Sequence, residues 1–169
     1  MNENFNEEVK SILEAAQQQA VMNYNQELTT AHVAAALCGK EGFFKYLLQS
    51  LHIDENTFAK EAQALVKKIP SVKGSDRQLM MGTGFARVMA ILQQKNAGKE
   101  INAGVLVSTI ASDGDSDVVA LFKKYNLKSS TIDAAYMQYQ NSAGDDEAKQ
   151  TLEKYGQDLT AKAKAGKLD

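Results

Sequence analysis

Residues 27–37 read ELTTAHVAAAL and residues 100–110 read EINAGVLVSTI. Few letters agree, but the order of residue types does: an acid, a branched aliphatic, a short polar pair, then a helical run of small apolar residues. Thr29 or Thr30 in the first copy and Asn102 in the second supply a side-chain oxygen of the kind that caps a helix N-terminus. His32, Val33, Ala36 and Leu37 follow the first cap, and Val105, Leu106, Thr109 and Ile110 follow the second, at helical steps. A pattern written twice, 73 positions apart, indicates an internal repeat.

The repeat extends outward from both copies. Before the first, Phe5, Val9, Ile12, Leu13, Ala16 and Ala20 form one apolar stripe. Asn4 is its expected N-cap, with Glu7 as capping-box partner. After NYNQ and the motif, GKEG interrupts, and Phe43, Phe44, Leu47, Leu48 and Leu51 make a third stripe. Asp54 opens a fourth through Phe58, Ala62, Leu65 and Val66, which stops at Ile69-Pro70 because proline disfavours helix in the residue before it. SVKGSDRQ reads as a polar connector. The programme then restarts: Phe85, Val88, Met89 and Leu92 repeat Val9, Ile12, Leu13 and Ala16 at an offset of 76. SDGDS stands where GKEG stood, and Val118, Leu121, Phe122, Tyr125 and Leu127 match Phe44, Leu47, Leu48, Leu51 and Ile53 at 74. Ile132, Tyr136 and Tyr139 match Phe58, Ala62 and Leu65. The drift from 76 to 73 is a three-residue deletion in the turn after the first helix, where indels are well tolerated.

These stripes predict an all-α fold: a tandem pseudo-twofold repeat of two four-helix motifs, about eight helices, with a C-terminal linker helix. Repeat one spans 4–69 and repeat two 79–140 of a domain at 1–140, with a linker at 141–169. Four short helices alone bury little apolar surface, so the two copies are expected to share a core and leave a groove at their seam. QNSAGDDEAKQ reads as a polar connector. Asp158 as a cap and Gly166 as a stop predict a last amphipathic helix, and a chain halting there reads as a piece of a longer protein.

Composition narrows the function. The chain has 169 residues, 44% hydrophobic and 24% charged, which is globular usage. Net charge is −2 and lysines alternate with acids, so no basic stripe for nucleic acid stands out. The opening MNENFNEEVK carries no signal-peptide pattern, and no apolar run approaches the ~18 residues of a membrane span. Cys38 is the one cysteine, which fits a reducing cytoplasm.

Several residues invite a chemical reading. His32 and Cys38 are six apart in an apolar helix with no third partner, so a packed histidine and a buried thiol are expected rather than a nucleophile. His52 falls in a turn and is expected to face solvent. Asp113, Asp115 and Asp117 resemble half a calcium loop, but Val118 replaces its glycine and Lys124 its bidentate glutamate, so no metal is expected. The glycines of MMGTGF lack the spacing of a dinucleotide fingerprint. Repeat symmetry equates Met81 with Phe5 and Gly82 with Asn6, making the glycines a helix start. Met80 and Met81 cannot both enter one helical stripe. Either at least one is exposed as an adaptable contact surface, or they fill the core irregularly.

Three stretches carry a resemblance to a known family. ELTTAHVAAAL, through Leu28, Thr29, His32 and Leu37, resembles the repeat motif of the N-terminal domain of Clp-type AAA+ unfoldases, nearest the ClpB-like disaggregases. KKIPSVKG resembles the inter-repeat connector through Pro70, Val72 and Gly74. LEKYGQDLTAKAKAGKLD resembles the lead-in to the first ATPase module through Tyr155, Asp158, Leu159, Thr160, Ala163 and Gly166 to Asp169, the most specific of the three.

The resemblance implies a non-catalytic all-α appendage of a hexameric ATP-driven ring. Such a domain captures unfolded or aggregated polypeptide, or an adaptor, and passes it to the pore. ATP and Mg are expected in the AAA+ modules beyond it; no G-x-x-x-x-G-K-[ST] loop occurs here, so no cofactor is expected in this fragment. Some members use glutamates before the motif histidine to bind phosphoarginine. Ala31 and Gly104 stand there instead, and Val105 replaces the second histidine, so that activity is not implied. Such divergence also fits a ClpV-like branch docking one helix of a type VI secretion sheath or an adaptor. The expected groove residues are Phe5, Asn6, Met80, Met81, Gly104 and Val105. The fragment is expected to be monomeric and cytoplasmic, without nucleic-acid or membrane partners.

Overall fold

Helices form along each apolar period, four of them opened by a capping side chain at Asn6, Thr29, Asp54 or Asn102. The computed structural model describes residues 4–72 and 78–150, with side chains to residue 141. Repeat one gives α1 (Glu7–Met22), β1 (Glu27–Leu28), α2 (Thr30–Leu37), α3 (Phe43–Ser50) and α4 (Glu55–Lys67). Repeat two gives β2 (Met80–Met81), α5 (Thr83–Lys95), α6 (Ala103–Asp113), α7 (Ser116–Lys124) and α8 (Ser129–Gln150). Among the described residues the fold is therefore the all-α double repeat of eight helices, with two two-residue strands added.

Most caps stand where the sequence places them. Thr29, Asp54 and Asn102 accept from the first-turn amides of Ala31, Thr57 and Val105. The first helix is a correction: Asn6, not Asn4, caps α1, its Oδ1 accepting from Val9 N at 2.9 Å. Asn4 is drawn across to repeat two, where its Nδ2 donates to the carbonyls of Asn96 (3.3 Å) and Lys99 (3.0 Å). Residues 141–150, read from composition as a connector, continue α8 as helix. Ala, Glu, Lys and Gln are good helix formers, and one glycine costs only about 1 kcal/mol. The last expected helix, within 151–169, lies outside the described residues.

The pseudo-twofold relation appears in the packing. α1 packs on α2, and α5 on α6. Between repeats, α2 packs on α7, and its counterpart α6 packs on α3. Matching helices also end alike. Ile53 N donates to Leu48 O around left-handed His52 (φ 60°), and Leu127 N donates to Phe122 O around left-handed Asn126 (φ 59°), both at 2.9 Å. His52 is solvent-exposed there, as expected.

Phe44, Phe58 and Phe122, from α3, α4 and α7, meet edge to face or tilted, with centroids 5.3–6.3 Å apart. Burying each phenylalanine stabilises by roughly 1.5–3 kcal/mol, and this cluster joins the two copies into one core. The chain divides into two compact units, Met1–Asp133 and Ala134–Asp169, with the boundary inside α8. In the second unit, Tyr136 and Tyr139 lie one helical turn apart with ring centroids at 5.8 Å. None of the described helices is long and apolar enough to cross a membrane.

Candidate functional site

Each repeat sends the segment before its first helix across to the other. Phe5 bridges Ile101 in parallel, with Asn6 N donating to Ile101 O at 3.0 Å. Met80–Met81 pairs in parallel with Glu27–Leu28, and Gly82 N donates to Leu28 O at 2.8 Å. The two crossings are equivalent, since Phe5 matches Met81 and Leu28 matches Ile101. Gly82 caps α5, the helix start that repeat symmetry assigns to it. A Cβ on Gly82 would stand 3.0 Å from the Leu28 carbonyl oxygen, so glycine lets β2 lie close against β1.

The crossings differ in what they expose. Phe5 is 5% exposed, while Met80 and Met81 are 59% and 57% exposed. A groove of about 290 Å³ opens here. Phe5, Leu13 and Gln17 line it from the α1 side, Phe85 and Met89 from α5. Leu28 and the Leu79–Met81 segment complete it. None of these nine side chains is charged, and Gln17 brings the one side-chain amide. Three are methionines, whose unbranched thioethers adapt to varied apolar shapes.

A buried polar network fixes the junction that supplies Leu28. Thr29 N–H donates to His32 Nδ1 at 3.0 Å. An amide can only donate, so that nitrogen is unprotonated and Nε2 carries the proton, 2.8 Å from Asn25 Oδ1. Asn25 Nδ2 in turn donates to Ile69 O at 3.3 Å, tying α2 to the inter-repeat connector. Burial, outweighing the attraction of nearby Asp115, pushes the His32 pKa down to about 4, so the ring is neutral. Cys38 is half-buried rather than buried as expected; that partial burial, with nearby Glu55, pushes its thiol up to about 12, and its Sγ contacts Ala34 O at 3.7 Å. The two His32 ring nitrogens are thus taken by Thr29 and Asn25, and Cys38 Sγ by a carbonyl of its own helix. Asp115 is committed to Thr30, accepting from its N at 2.9 Å and its Oγ1 at 2.6 Å. Among the described residues no group of three or more His, Cys, Asp or Glu could hold a metal ion.

Of the residues expected from sequence, Phe5, Met80 and Met81 line the groove together. Asn6, Gly104 and Val105 do not. Asn6 is spent capping α1, Gly104 is buried in α6, and Val105 N donates to Asn102 Oδ1 at 3.0 Å. The sequence reading placed Leu13, Phe85 and Met89 in core stripes, yet Leu13 and Met89 are half-buried at the stripe edge. Leu79 and Gln17 carried no periodic signal.

Residues 4–125 match the family described as the Clp repeat (R) N-terminal domain. The chain belongs to this family. It is 32% identical to the chaperone protein ClpB of Bacillus cereus, over 92% of this chain and 19% of that protein. This Clp N-terminal domain thus spans about a fifth of the curated relatives it matches. Its fold is shared with the Hsp104 N-terminal domain from Candida albicans, at TM-score 0.67 and 19% identity, covering 83% of this chain and 93% of that one. It is also shared with the ClpV N-domain solved in complex with a VipB peptide, at TM-score 0.54 and 14% identity, covering 73% and 80%.

Proposed function

We propose that this Clp N-terminal domain is the substrate- or adaptor-binding module of an ATP-dependent chaperone. Its seam groove holds apolar segments of unfolded or aggregated polypeptide before a hexameric ring threads them. The observation that carries the reading is the uncharged, methionine-rich groove between α1 and α5, with Met80 and Met81 standing out of it. A shallow apolar surface binds weakly and releases readily, as a hand-over step requires. In this reading the chain itself uses no cofactor, ATP and Mg are bound by modules beyond it, and the site of action is the cytoplasm.

The test is a titration of the isotope-labelled chain with a permanently unfolded protein. Amides of Met80, Met81, Phe85 and Met89 are expected to shift together; saturating amounts with no shift there would remove the assignment. A second reading, a ClpV-like docking domain for one partner helix or adaptor peptide, is favoured by the likeness to the ClpV N-domain seen with a VipB peptide. It predicts stoichiometric binding of one specific peptide and indifference to generic unfolded chains.

A further inference from the structure

We infer that the β2 edge takes its client by strand addition: an extended peptide segment hydrogen-bonds to the main chain of Met81 and lays side chains into the adjoining groove. The inference rests on the groove reading above and specifies its mode of recognition. In a parallel ladder, successive residues turn their N–H and C=O to opposite sides. Met80 N donates to Gln26 O at 3.1 Å and Gly82 N to Leu28 O at 2.8 Å, so residues 80 and 82 face β1. Met81, between them, turns its N–H and C=O away from β1. Outside the pairing with β1, no backbone hydrogen bond among the described residues reaches either group.

This edge lies at a residue 57% exposed that also lines the groove. The equivalent edge at Phe5 belongs to a residue 5% exposed, so of these two crossings the one in repeat two offers its edge to a partner. An unpaired N–H and C=O beside an apolar surface is the arrangement that accepts an added strand, with main-chain bonds supplying affinity and pockets selecting side chains. A helix interior has no free N–H to give such an edge, whereas an unfolded client does. One residue's worth of ladder adds a modest increment, compatible with release.

The probes are three short alternating leucine–threonine peptides: one unmodified, and two N-methylated at alternate positions, odd in one and even in the other. Strand addition predicts that the unmodified peptide moves the Met81 amide proton downfield and slows its exchange. It also predicts that one methylated peptide loses affinity about tenfold while the other retains it. Equal affinities, with Phe85 and Met89 shifting but the Met81 amide unmoved, would overturn strand addition and leave the groove reading standing. Loss with both methylated peptides, together with helical signals from the bound parent, would also overturn it. No binding by any peptide would take the groove reading down as well. Met81→Pro removes the same N–H without touching the ladder to β1, so it is expected to keep the melting temperature and weaken the unmodified peptide several-fold.

Discussion

The two repeats solve one packing problem with the same parts in exchanged positions. In repeat one the carboxylate lies on α1: Glu8 Oε2 accepts from Phe43 N at 2.8 Å, capping α3 over Gly42. In repeat two the carboxylate lies at the helix start itself, on Asp115, and glycine stands at 84, the position matching Glu8. A side chain on Gly42 would collide with the Glu8 carboxylate, and one on Gly84 with that of Asp115. Space for one carboxylate exists at each contact, and either partner supplies it. Moving it to Asp115 frees it to reach across the seam to Thr30, a contact repeat one has no side chain to return. A shared backbone can thus survive while letter-by-letter identity decays.

The sharpest break between the repeats is Phe5 against Met81, equivalent on the ladder and opposite in burial. Phe5→Ala is expected to cost about 3–5 kcal/mol and Met81→Ala less than about 0.5 kcal/mol in urea denaturation. Equal costs would show that the exposure contrast does not hold in solution. Exchanging the carboxylate tests the second contrast. Gly84→Glu alone should destabilise by about 2–3 kcal/mol through overpacking, and adding Asp115→Gly should recover about 1 kcal/mol or more relative to additive losses. Strictly additive losses would mean the two contacts are not equivalent.

His32 against Val105 is the third contrast. His32→Val copies repeat two but removes the bonds that the ring makes to Thr29 N–H and Asn25 Oδ1, at a cost of about 1–3 kcal/mol. The histidine also predicts a pH dependence. Its folded pKa of about 4 lies below the ordinary 6.5, so between these values the unfolded chain binds the extra proton. The stability is full above pH 6.5 and falls as pH drops toward 4, by at most about 3 kcal/mol. Melting curves of the wild type and His32→Val across that window should converge toward low pH; parallel curves would show that the ring does not resist protonation. The smallest effect is expected at the cap common to both motifs, where Asn102→Ala should cost about 1 kcal/mol. A cost near zero would mean that packing alone positions α6.

Much of the fold was legible because it is local. The stripes from Val9 to Ala20 and from Phe85 to Leu92 name their helices, and the caps at Thr29, Asp54 and Asn102 lie within three residues of the amides they satisfy. Asn4 was misread because the rule for a capping box sees three residues ahead. The partners that claim Asn4 are Asn96 and Lys99, more than ninety residues on. The groove was half legible for the same reason. Adjacent methionines signalled an unusual position at 80 and 81, whereas Leu13 and Met89 looked like any core residue of their stripes.

The sequence by itself determined that helices form, where those opened by Thr29, Asp54 and Asn102 begin, and that four of them are written twice, because period and capping are read over a few neighbouring residues. The tertiary structure alone decided which strand crosses to which repeat, and that Phe5 is covered while Met81 is left open. Those outcomes depend on surfaces contributed from distant parts of the chain, whose contact is set by the packing of whole helices and by no local pattern.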